Sequence, residues 1–316
     1  MKKFFNLLFK FSFVFAILLL FGEGYFRFQH TSPNEELRYK KIHCLKDWSE
    51  IRLCPKVKEG FTRRDGKPWD IQTDEMGERI TNSNIPETNE TVVWLHGDSM
   101  AMGYGLPTKK TIAFLLETKY KIKTRVIAVD AIGTNGISNL YMDTLIQTNK
   151  NPNSIYWIWN PSDFIDDERE KKGMKKYVYP IHFFLSRNSS LYESLLPSPQ
   201  TNVYINGIPT IYPKTHPTYS FLKTFIHNKI HNKEQWKILF SWGMAPNGTP
   251  DTNDPNYDVA KKFFETEGIS TIDLRQETEV LFAQKKQIYI PNDGHPDEDL
   301  AKLFAEAIAN DYKKTQ

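Results

Sequence analysis

The sequence has little cysteine and little net charge. It contains 2 cysteines in 316 residues, and 41 basic residues nearly balance 38 acidic ones, which leaves a formal net charge of +3. Nucleic-acid-binding domains carry a marked basic excess on one face, and a charge this small on a chain of this length gives no argument for one. We therefore expect no nucleic-acid partner.

Motifs for metals and nucleotides are also missing. The sequence has no Cys/His spacing typical of a zinc site, no phosphate-binding P-loop and no glycine-rich dinucleotide fingerprint. Internal repeats and low-complexity segments are absent, and the hydrophobic (40%) and charged (25%) fractions are those of an ordinary globular protein. We expect a globular chain that uses neither a metal nor an organic cofactor.

One long apolar run stands out, and it lies at the N-terminus. Residues 4–22 are long enough to cross a bilayer as a helix, and Phe11 to Phe21 are almost uninterrupted apolar residues. Lys2 and Lys3 precede the run, so the positive-inside rule leaves them in the cytoplasm and places the rest of the chain in the periplasm. No clear small-residue cleavage site follows, which favours a retained single-pass anchor in the inner membrane. A cleaved signal peptide and an exported protein are the alternative.

The two cysteines fit an exported chain. Cys44 and Cys54 lie ten positions apart in a polar segment, residues 25–90, which follows the anchor or signal peptide of residues 1–24. An oxidising compartment would allow the two thiols to pair. Two unpaired thiols are the alternative, and neither cysteine has a histidine arranged to make it a nucleophile.

Apolar and helical segments alternate from residue 91 onward. Five runs read as buried strands, near residues 91–96, 125–129, 154–159, 237–242 and 269–274. Helical patterns fall between them, as at residues 111–120 and 256–266. This alternation predicts a parallel sheet with helices on both faces. Residues 164–235 are too long for a simple crossover and rich in aromatic residues, so we expect an insert there, either a lid or a packed surface elaboration.

A candidate nucleophile follows the first of these strands. The apolar run of residues 92–95 leads through His96 into Gly97, Asp98 and Ser99. A serine at the carboxyl end of a strand projects its hydroxyl into the crevice where open α/β sheets bind ligands. Gly97 permits a tight turn, and Asp98 can cap the segment that follows. By itself such a tripeptide is more often a surface turn, so Ser99 needs a partner.

The candidate partner lies near the C-terminus. His295 stands in a loop before an amphipathic run, residues 297–312, and Asp293 stands two positions earlier. An imidazole can take the proton of a serine hydroxyl, and a carboxylate can hold the imidazole in the required tautomer. Together with Ser99, this pair predicts a catalytic triad. The alternative is a plain turn at Asp293-Gly294 with a solvated His295.

These motifs resemble those of the SGNH (GDSL-type) serine hydrolase family. Residues 97–105 are similar to the Gly-Asp-Ser-(x)3-Gly-x-Gly run of one large bacterial branch, and residues 74–79 to its Asn-x-x-Gly-x-Arg segment. Residues 268–274 resemble the strand before the histidine loop, so the likeness spans roughly residues 70–312 with a gap in the middle. It implies a three-layer α/β/α fold for residues 91–316, built on a mainly parallel, flavodoxin-like five-stranded sheet.

The same resemblance implies an oxyanion hole, where the sequence departs from the family pattern. One donor comes from a glycine after the second strand, which here is Gly133 or, in another alignment, Gly136. Another comes from an asparagine after the third strand, but Ser162 stands at that position and Asn160 would serve from a shifted one, unless both are turn residues. The N–H of Ser99 completes the set. Losing a donor costs about 10²–10³ in turnover, so a weak or inactive enzyme stays open.

The resemblance implies an esterase. Ser99 would attack an ester carbonyl, His295 would take its proton and Asp293 would orient His295. Export, together with the substrates usual in this family, suggests an O-acyl group, such as acetyl, on an envelope glycan or lipid as the substrate. Two alternatives stay open: an O-acyltransferase of envelope polysaccharide with the same triad, and an inactive domain that binds carbohydrate or an assembly partner.

Overall fold

The structure is a computed structural model that describes most of the chain. The described residues are 2–29, 38–46, 50–63, 65–81, 92–149, 152–172, 179–195, 204–205, 208–209 and 211–315. The chain divides into two compact units. The first consists of residues 1–49 and 174–200, and the second of residues 50–173 and 201–316.

The described residues of the two units form helices and strands. The helices, in chain order, are α1 (Lys2–Gln29), α2 (Ser99–Met102), α3 (Ile112–Lys119), α4 (Thr134–Thr148), α5 (Ser162–Lys172), α6 (Tyr179–Asn188), α7 (Ser190–Leu195), α8 (Pro217–Asn228), α9 (Asn256–Thr266), α10 (Arg275–Ala283) and α11 (Glu298–Thr315). The strands are β1 (His43–Lys46), β2 (Glu50–Leu53), β3 (Lys58–Thr62), β4 (Pro68–Gln72), β5 (Val93–Gly97), β6 (Thr124–Ala128), β7 (Ser154–Ile158), β8 (Tyr204–Ile205), β9 (Ile208–Pro209), β10 (Trp236–Phe240) and β11 (Ser270–Asp273).

Five strands form one parallel sheet in the order β11-β10-β7-β5-β6. The first strand of this sheet along the chain, β5, therefore lies between the second, β6, and the third, β7. Read from β6, this is the 2-1-3-4-5 order of flavodoxin-like sheets. The pairing aligns Gly97 at the end of β5 with Ala128 and Ile158 at the ends of its neighbours. The predicted sheet is confirmed, and each strand lies within two residues of its predicted bounds.

Helices cover both faces of the sheet. Neighbouring residues of a strand point to opposite faces, and β7 shows where each face leads. The Tyr156 hydroxyl donates a hydrogen bond to Asp311 of α11 at 2.9 Å. The ring of the next residue, Trp157, packs against Phe225 of α8 and Phe264 of α9. On the Tyr156 face, α11 is in contact with α3, and on the Trp157 face, α8 is in contact with α4 and α5. Helices therefore cover both faces of the sheet, and the predicted three-layer α/β/α fold is confirmed.

Strand β5, which precedes the candidate nucleophile, is buried on both faces. Val93, Trp94 and Leu95 are almost completely inaccessible to solvent, which explains why the sequence there is continuously apolar. His96 is buried as well, and its Nδ1 lies 3.1 Å from the Ile127 carbonyl oxygen. Burial lowers the pKa of His96 to about 3, so its ring is neutral. His96 is therefore a packing residue rather than a second base.

Part of the polar segment before the sheet forms an antiparallel hairpin of β3 and β4. Phe61 pairs with Trp69 across the two strands, and their rings pack with centroids 5.1 Å apart. The ring of Trp69 also lies 5.2 Å from that of Tyr104, in the loop that follows the nucleophile turn. The hairpin therefore supports this loop from one side.

Both cysteines are disulfide-bonded. Because Cys44 and Cys54 are the two cysteines of the sequence, the chain carries one disulfide. Pairing is the outcome expected for an oxidising compartment, and the alternative of two unpaired thiols is wrong.

Helix α1 contains a candidate membrane span. The window Phe9–Phe28 has a mean hydropathy of 1.6, and none of it is buried inside the structure. Length and apolar character are also those of a signal sequence, so the choice between an anchor and a cleaved signal peptide stays a prediction.

The predicted insert, residues 164–235, is divided between the two units. Residues 173–178, 196–203, 206–207 and 210 of it lie outside the described residues. In the second unit, Phe164 stacks on Tyr212 with ring centroids 4.4 Å apart and contacts His216 and Tyr219. These rings pack against one another, which favours a packed elaboration for this part of the insert rather than a lid.

Candidate active site

Ser99 is separated from the end of β5 by one residue, Asp98, and is the first residue of α2. The turn depends on Gly97, whose φ of +142° is a backbone conformation that other residues rarely adopt. A Cβ on Gly97 would also lie 2.9 Å from the Ile158 carbonyl oxygen. Asp98 accepts a hydrogen bond from Met100 N at 2.9 Å and caps α2, as the sequence predicts. The chain therefore turns sharply enough to leave the Ser99 hydroxyl at the edge of the sheet.

The predicted motifs meet at the point where the strand order reverses. Ser99 follows β5, Gly133 follows β6 and Asn160 follows β7, and these three strands are adjacent and parallel. Their carboxyl ends therefore lie at one edge of the sheet. In open α/β sheets, ligands bind in the crevice outside this edge, at such a switch point.

His295 completes the site from the far end of the chain. Its Nε2 lies 2.8 Å from Ser99 Oγ, although 196 positions separate the two residues. Its Nδ1 is hydrogen-bonded to the carboxylate of Asp293, which also accepts from the His295 backbone N–H at 3.3 Å. A proton held on Nδ1 by the carboxylate leaves the lone pair of Nε2 facing the serine hydroxyl. The structure thus brings the three residues of the predicted triad into hydrogen-bond contact.

Asp293 controls the charge state of His295. Burial lowers the pKa of His295, but the hydrogen bond and the negative charge of Asp293, with further charge from Asp98 and Asp130, outweigh burial. The net effect raises the pKa above its ordinary value of 6.5. The imidazole therefore accepts a proton more readily than a free histidine side chain does.

A tight turn carries both members of this pair. The backbone N–H groups of Asp293 and Gly294 both donate to the Ile290 carbonyl oxygen at 3.2 Å, and Gly294 has a φ of +90°. The turn that the alternative interpretation expects at Asp293-Gly294 is therefore present. His295 is not simply solvated, however, because its side chain is 27% exposed and contacts Ser99.

Asn160 and Ser162 are hydrogen-bonded to each other and to Asp98. Asn160 Nδ2 donates to Asp98 Oδ2 at 3.0 Å, and Asn160 Oδ1 accepts from the backbone N–H of Ser162 at 2.9 Å and from its hydroxyl. Burial raises the pKa of the Asp98 carboxyl, although these hydrogen bonds and the nearby His295 oppose that effect. Both candidates for the third oxyanion donor therefore contact Asp98, the residue that precedes the candidate nucleophile Ser99.

Both glycine candidates lie at the start of α4. Gly133 occupies the N-cap position and Gly136 the third residue of the helix, so both N–H groups are at an end where helix donors lack intrahelical acceptors. A Cβ on Gly133 would lie 2.6 Å from Asp167 N, so no larger residue fits there. The choice between the two glycines stays a prediction.

Acidic residues are concentrated in α5, beside the oxyanion candidates. Asp163 and Asp167 are fully buried, and the N–H of Asp163 donates to the Asn160 carbonyl oxygen at 3.1 Å, a contact that braces this loop. Among the residues that the structure describes, no group of three or more His, Cys, Asp and Glu side chains is placed to hold a metal ion.

Sequence reasoning missed the role of Arg79. This buried side chain donates hydrogen bonds to three backbone carbonyl oxygens of the segment after Ser99, those of Met102 (2.9 Å), Gly103 (2.6 Å) and Leu106 (2.8 Å). It also donates to the carbonyl oxygen of Asp70 in β4 (2.6 Å). Its place in the segment of residues 74–79 was the available signal. That signal does not reveal which carbonyl groups the guanidinium contacts.

A second buried arginine, Arg63, links the two halves of the site. Its guanidinium donates to Asp297 at 3.0 Å, just before α11, and to the Gly105 carbonyl oxygen at 3.5 Å in the nucleophile loop. Hydrogen bonds to Asp65 complete its set of partners. No sequence motif points to this role of Arg63, because Gly105 and Asp297 are 42 and 234 positions away.

No family model matches the sequence, and no curated protein matches it. Solved structures are similar to it at low identity. A lipase/acylhydrolase from Enterococcus faecalis is 13% identical, with 72% of this chain and 97% of that chain covered and a TM-score of 0.46. An acetylxylan esterase from Geobacillus stearothermophilus is 12% identical, with 71% and 94% covered and a TM-score of 0.41. A lipolytic protein of the G-D-S-L family from Veillonella parvula is 13% identical, with 70% and 97% covered and a TM-score of 0.40.

Proposed function

We propose that this protein is a serine-dependent ester hydrolase. One observation carries the proposal: Ser99 Oγ lies 2.8 Å from His295 Nε2, while Nδ1 of the same ring is held by Asp293. A hydroxyl, a base and a carboxylate in this order form an activated serine nucleophile, which is recognised by geometry rather than by position in the sequence.

The reaction proceeds in two steps through a covalent acyl-serine. In the first, His295 Nε2 takes the proton of Ser99 as Oγ attacks the ester carbonyl, and the imidazolium then gives that proton to the departing alkoxide. In the second, the same nitrogen takes a proton from water as the water oxygen attacks the acyl carbonyl. The imidazolium then returns this proton to Ser99 Oγ as the acyl–oxygen bond breaks, which releases the acid and restores the serine. Asp293 stabilises the imidazolium in both steps.

The negative oxygen of the tetrahedral intermediate needs hydrogen-bond donors. Ser99 N–H lies in the first turn of α2, where no intrahelical acceptor is available to it. An Asn amide has two N–H donors, and Asn160 donates through Nδ2 to Asp98, so one donor is left for the oxyanion. Ser162 has a single O–H, which Asn160 Oδ1 accepts. We therefore assign two of the donors to Ser99 and Asn160. The third is a glycine at the start of α4, either Gly133 or Gly136.

The substrate we propose is an O-acyl group, most simply acetyl, on an envelope glycan or lipid. The apolar N-terminal helix supports this substrate, because it would hold the chain at the inner membrane with the second unit in the periplasm. The disulfide of Cys44 and Cys54 supports an oxidising compartment. An ester carried by the cell envelope is the substrate within reach of such an anchored protein.

A fluorophosphonate probe tests the nucleophile directly. The full-length protein, in detergent, should be labelled covalently, and Ser99→Ala should abolish labelling. Ser220→Ala, an exposed serine on α8, is the matched control and should label like the wild type. No labelling of correctly folded wild type would refute the proposal and favour a domain that only binds its ligand. Labelling together with acetyl transfer to a glycan acceptor, in place of acetate release, would favour the transferase.

A further inference from the structure

Exposed apolar side chains in the first unit extend beyond the candidate membrane span. Ile181 and Phe184 lie three positions apart on α6, so they share one face of the helix, and they are 60% and 63% exposed. Leu195, the last residue of α7, is 73% exposed. Scattered exposed apolar residues need no explanation, but these lie on two helices that are joined to the anchor helix.

The junction is the turn between α6 and α7, which is fastened to Glu23 of α1. Within α1 the Glu23 carboxylate follows the apolar run and accepts three hydrogen bonds from this turn. Its donors are Ser189 Oγ (2.7 Å), Ser190 N (2.8 Å) and Leu191 N (3.0 Å). The carboxylate therefore caps the start of α7 and fixes that helix to the end of the apolar run.

Two neighbours of Glu23 strengthen the junction. Arg27, one helical turn further along α1, pairs with Glu23 and donates to the Asn188 carbonyl oxygen at 2.7 Å. Gly22 permits close packing, because a Cβ there would lie 3.2 Å from a methyl carbon of Leu191. The contact is therefore built from a charge pair, backbone hydrogen bonds and close apposition.

If α1 spans the membrane as proposed above, the junction would lie at the depth of the lipid headgroups. A helix rises about 1.5 Å per residue and a hydrocarbon core is about 30 Å thick, so about 20 residues cross it. The apolar run of residues 4–22 has this length, so a span formed by that run ends just before Glu23, which lies inside the window Phe9–Phe28. Because α6 and α7 are attached at Glu23, their exposed apolar residues are held beside the outer surface of the bilayer.

Basic side chains lie in the same layer. Arg187 of α6 donates to the Lys40 carbonyl oxygen at 3.0 Å, and its guanidinium lies 3.3 Å from the ring centroid of Phe183. Arg27 lies at the end of α1, where it is paired with Glu23. Apolar residues on one face together with basic residues are the composition of helices that lie in the membrane interface and bind anionic lipid.

We propose that α6 and α7 form a second contact with the phospholipid bilayer, in which Ile181, Phe184 and Leu195 enter the lipid beside the anchor. The proposal rests on the membrane anchoring of α1 proposed above and adds an interfacial site to it. The first unit is then held by a spanning helix and a surface helix pair rather than by a single span.

Site-directed spin labelling of the full-length protein tests this contact. Nitroxide labels are attached to Phe184→Cys and, as an independent site, to Ile181→Cys, in vesicles of phosphatidylethanolamine and phosphatidylglycerol. Because the native cysteines are disulfide-bonded, the introduced thiol takes the label. Phe15→Cys reports on the span, and Ile146→Cys, 73% exposed in the second unit, is the matched control in water. Accessibility to oxygen is compared with accessibility to a water-soluble nickel chelate.

The labels on α6 are expected to behave like the label at position 15, with accessibility to oxygen exceeding that to nickel several-fold, and the label at position 146 should show the reverse. Nickel-accessible labels on α6 beside a lipid-exposed position 15 would overturn the interfacial contact and leave the anchor standing. A nickel-accessible position 15 would overturn the anchor and this proposal with it. Labels on α6 that neither reagent reaches would show that protein, such as a second copy, covers the helix, which also overturns the proposal.

Discussion

The phenol ring of Tyr104 lies against the imidazole of His295, with ring centroids 4.4 Å apart and ring planes inclined by 39°. Tyr104 is supported in turn by Trp69 of the β3–β4 hairpin. Since Asp293 holds the Nδ1 side of the same imidazole, the ring is constrained by a face contact and an edge contact. This leaves Nε2 directed at Ser99, so little reorientation precedes proton transfer.

Removing the ring of Tyr104 is expected to slow turnover, because the triad keeps its three residues but the imidazole of His295 is positioned less accurately. Tyr104→Ala should lower kcat for p-nitrophenyl acetate by about tenfold to a hundredfold, because misplacing a catalytic group by about 1 Å costs up to about 10². Tyr104→Phe keeps the ring and should stay close to the wild type. Equal losses in both variants would show that the hydroxyl, not the ring contact, is what matters.

The pH profile reports the charge state of His295. Only the neutral imidazole accepts the serine proton, so activity should rise with pH through the pKa of His295, which is raised above 6.5. Asp293→Asn removes the charge that raises this pKa. The acidic limb of kcat/KM should therefore move to lower pH, and kcat should fall by about 10⁴ as the tautomer is lost.

The wild-type and Asp293→Asn profiles are recorded from pH 4 to pH 9 with the same ester. A limb that stays in place, or moves to higher pH, would contradict the role given to Asp293. Asp311→Asn, a carboxylate on α11 bonded to Tyr156, is the matched control and should leave the limb unchanged.

Asn160 and Ser162 are expected to differ sharply as oxyanion donors. Asn160→Ala removes an amide with a donor to spare and should lower kcat by about 10²–10³. Ser162→Ala removes a hydroxyl already engaged with Asn160 Oδ1 and should cost about tenfold at most, within the range of one lost hydrogen bond.

Thermal unfolding of both variants separates catalysis from stability, since Asn160 also contacts Asp98. A reversed order, with the larger loss in Ser162→Ala at an unchanged Tm, would assign the donor to the hydroxyl instead.

Arg79 is expected to stabilise the nucleophile loop. One hydrogen bond to a charged group contributes about 1.5–3 kcal/mol, and Arg79→Met leaves several buried carbonyl groups without a donor, so the free energy of unfolding should fall by about 3 kcal/mol or more. Lys109→Met, exposed in the same loop region, should stay within about 0.5 kcal/mol of the wild type.

Urea unfolding followed by tryptophan fluorescence measures both variants. Equal stabilities of Arg79→Met and the wild type would show that the loop holds its shape without the guanidinium. A folded Arg79→Met protein is also expected to react more slowly with the fluorophosphonate, because Ser99 lies in the segment that this arginine supports.

The fold was largely predictable because its signals are local. A strand covered on both faces reads as a continuous apolar run, and Val93 to Leu95 are such a run. The turn at Gly97, the cap at Asp98 and the final amphipathic helix likewise depend on near neighbours in the chain. Strand order is a different matter, and the resemblance to a family rather than periodicity supplied it.

The supports of the site were not predictable in this way. Arg63 contacts Asp297 across 234 positions, and Tyr104 reaches His295 only after two loops have met. Residue type does not predict either contact, because an arginine or a tyrosine in a polar segment can face solvent as readily as it can pack against another loop. Packing brings these residues together. Burial then strengthens each hydrogen bond and raises the cost of losing it.

The sequence by itself determined the alternation of strands and helices, the turn at Gly97-Asp98-Ser99 and the residue types of the triad, since each is encoded by side chains close together in the chain. Only the tertiary structure decided that Nε2 of His295 faces Ser99 and that Arg79 and Tyr104 hold the site in place. It also decided that the Asn160 amide donates one of its two N–H groups to Asp98, whereas the Ser162 hydroxyl donates to Asn160 Oδ1. Most of those relationships join residues far apart in sequence, and close packing of the folded chain is what sets the distances between them.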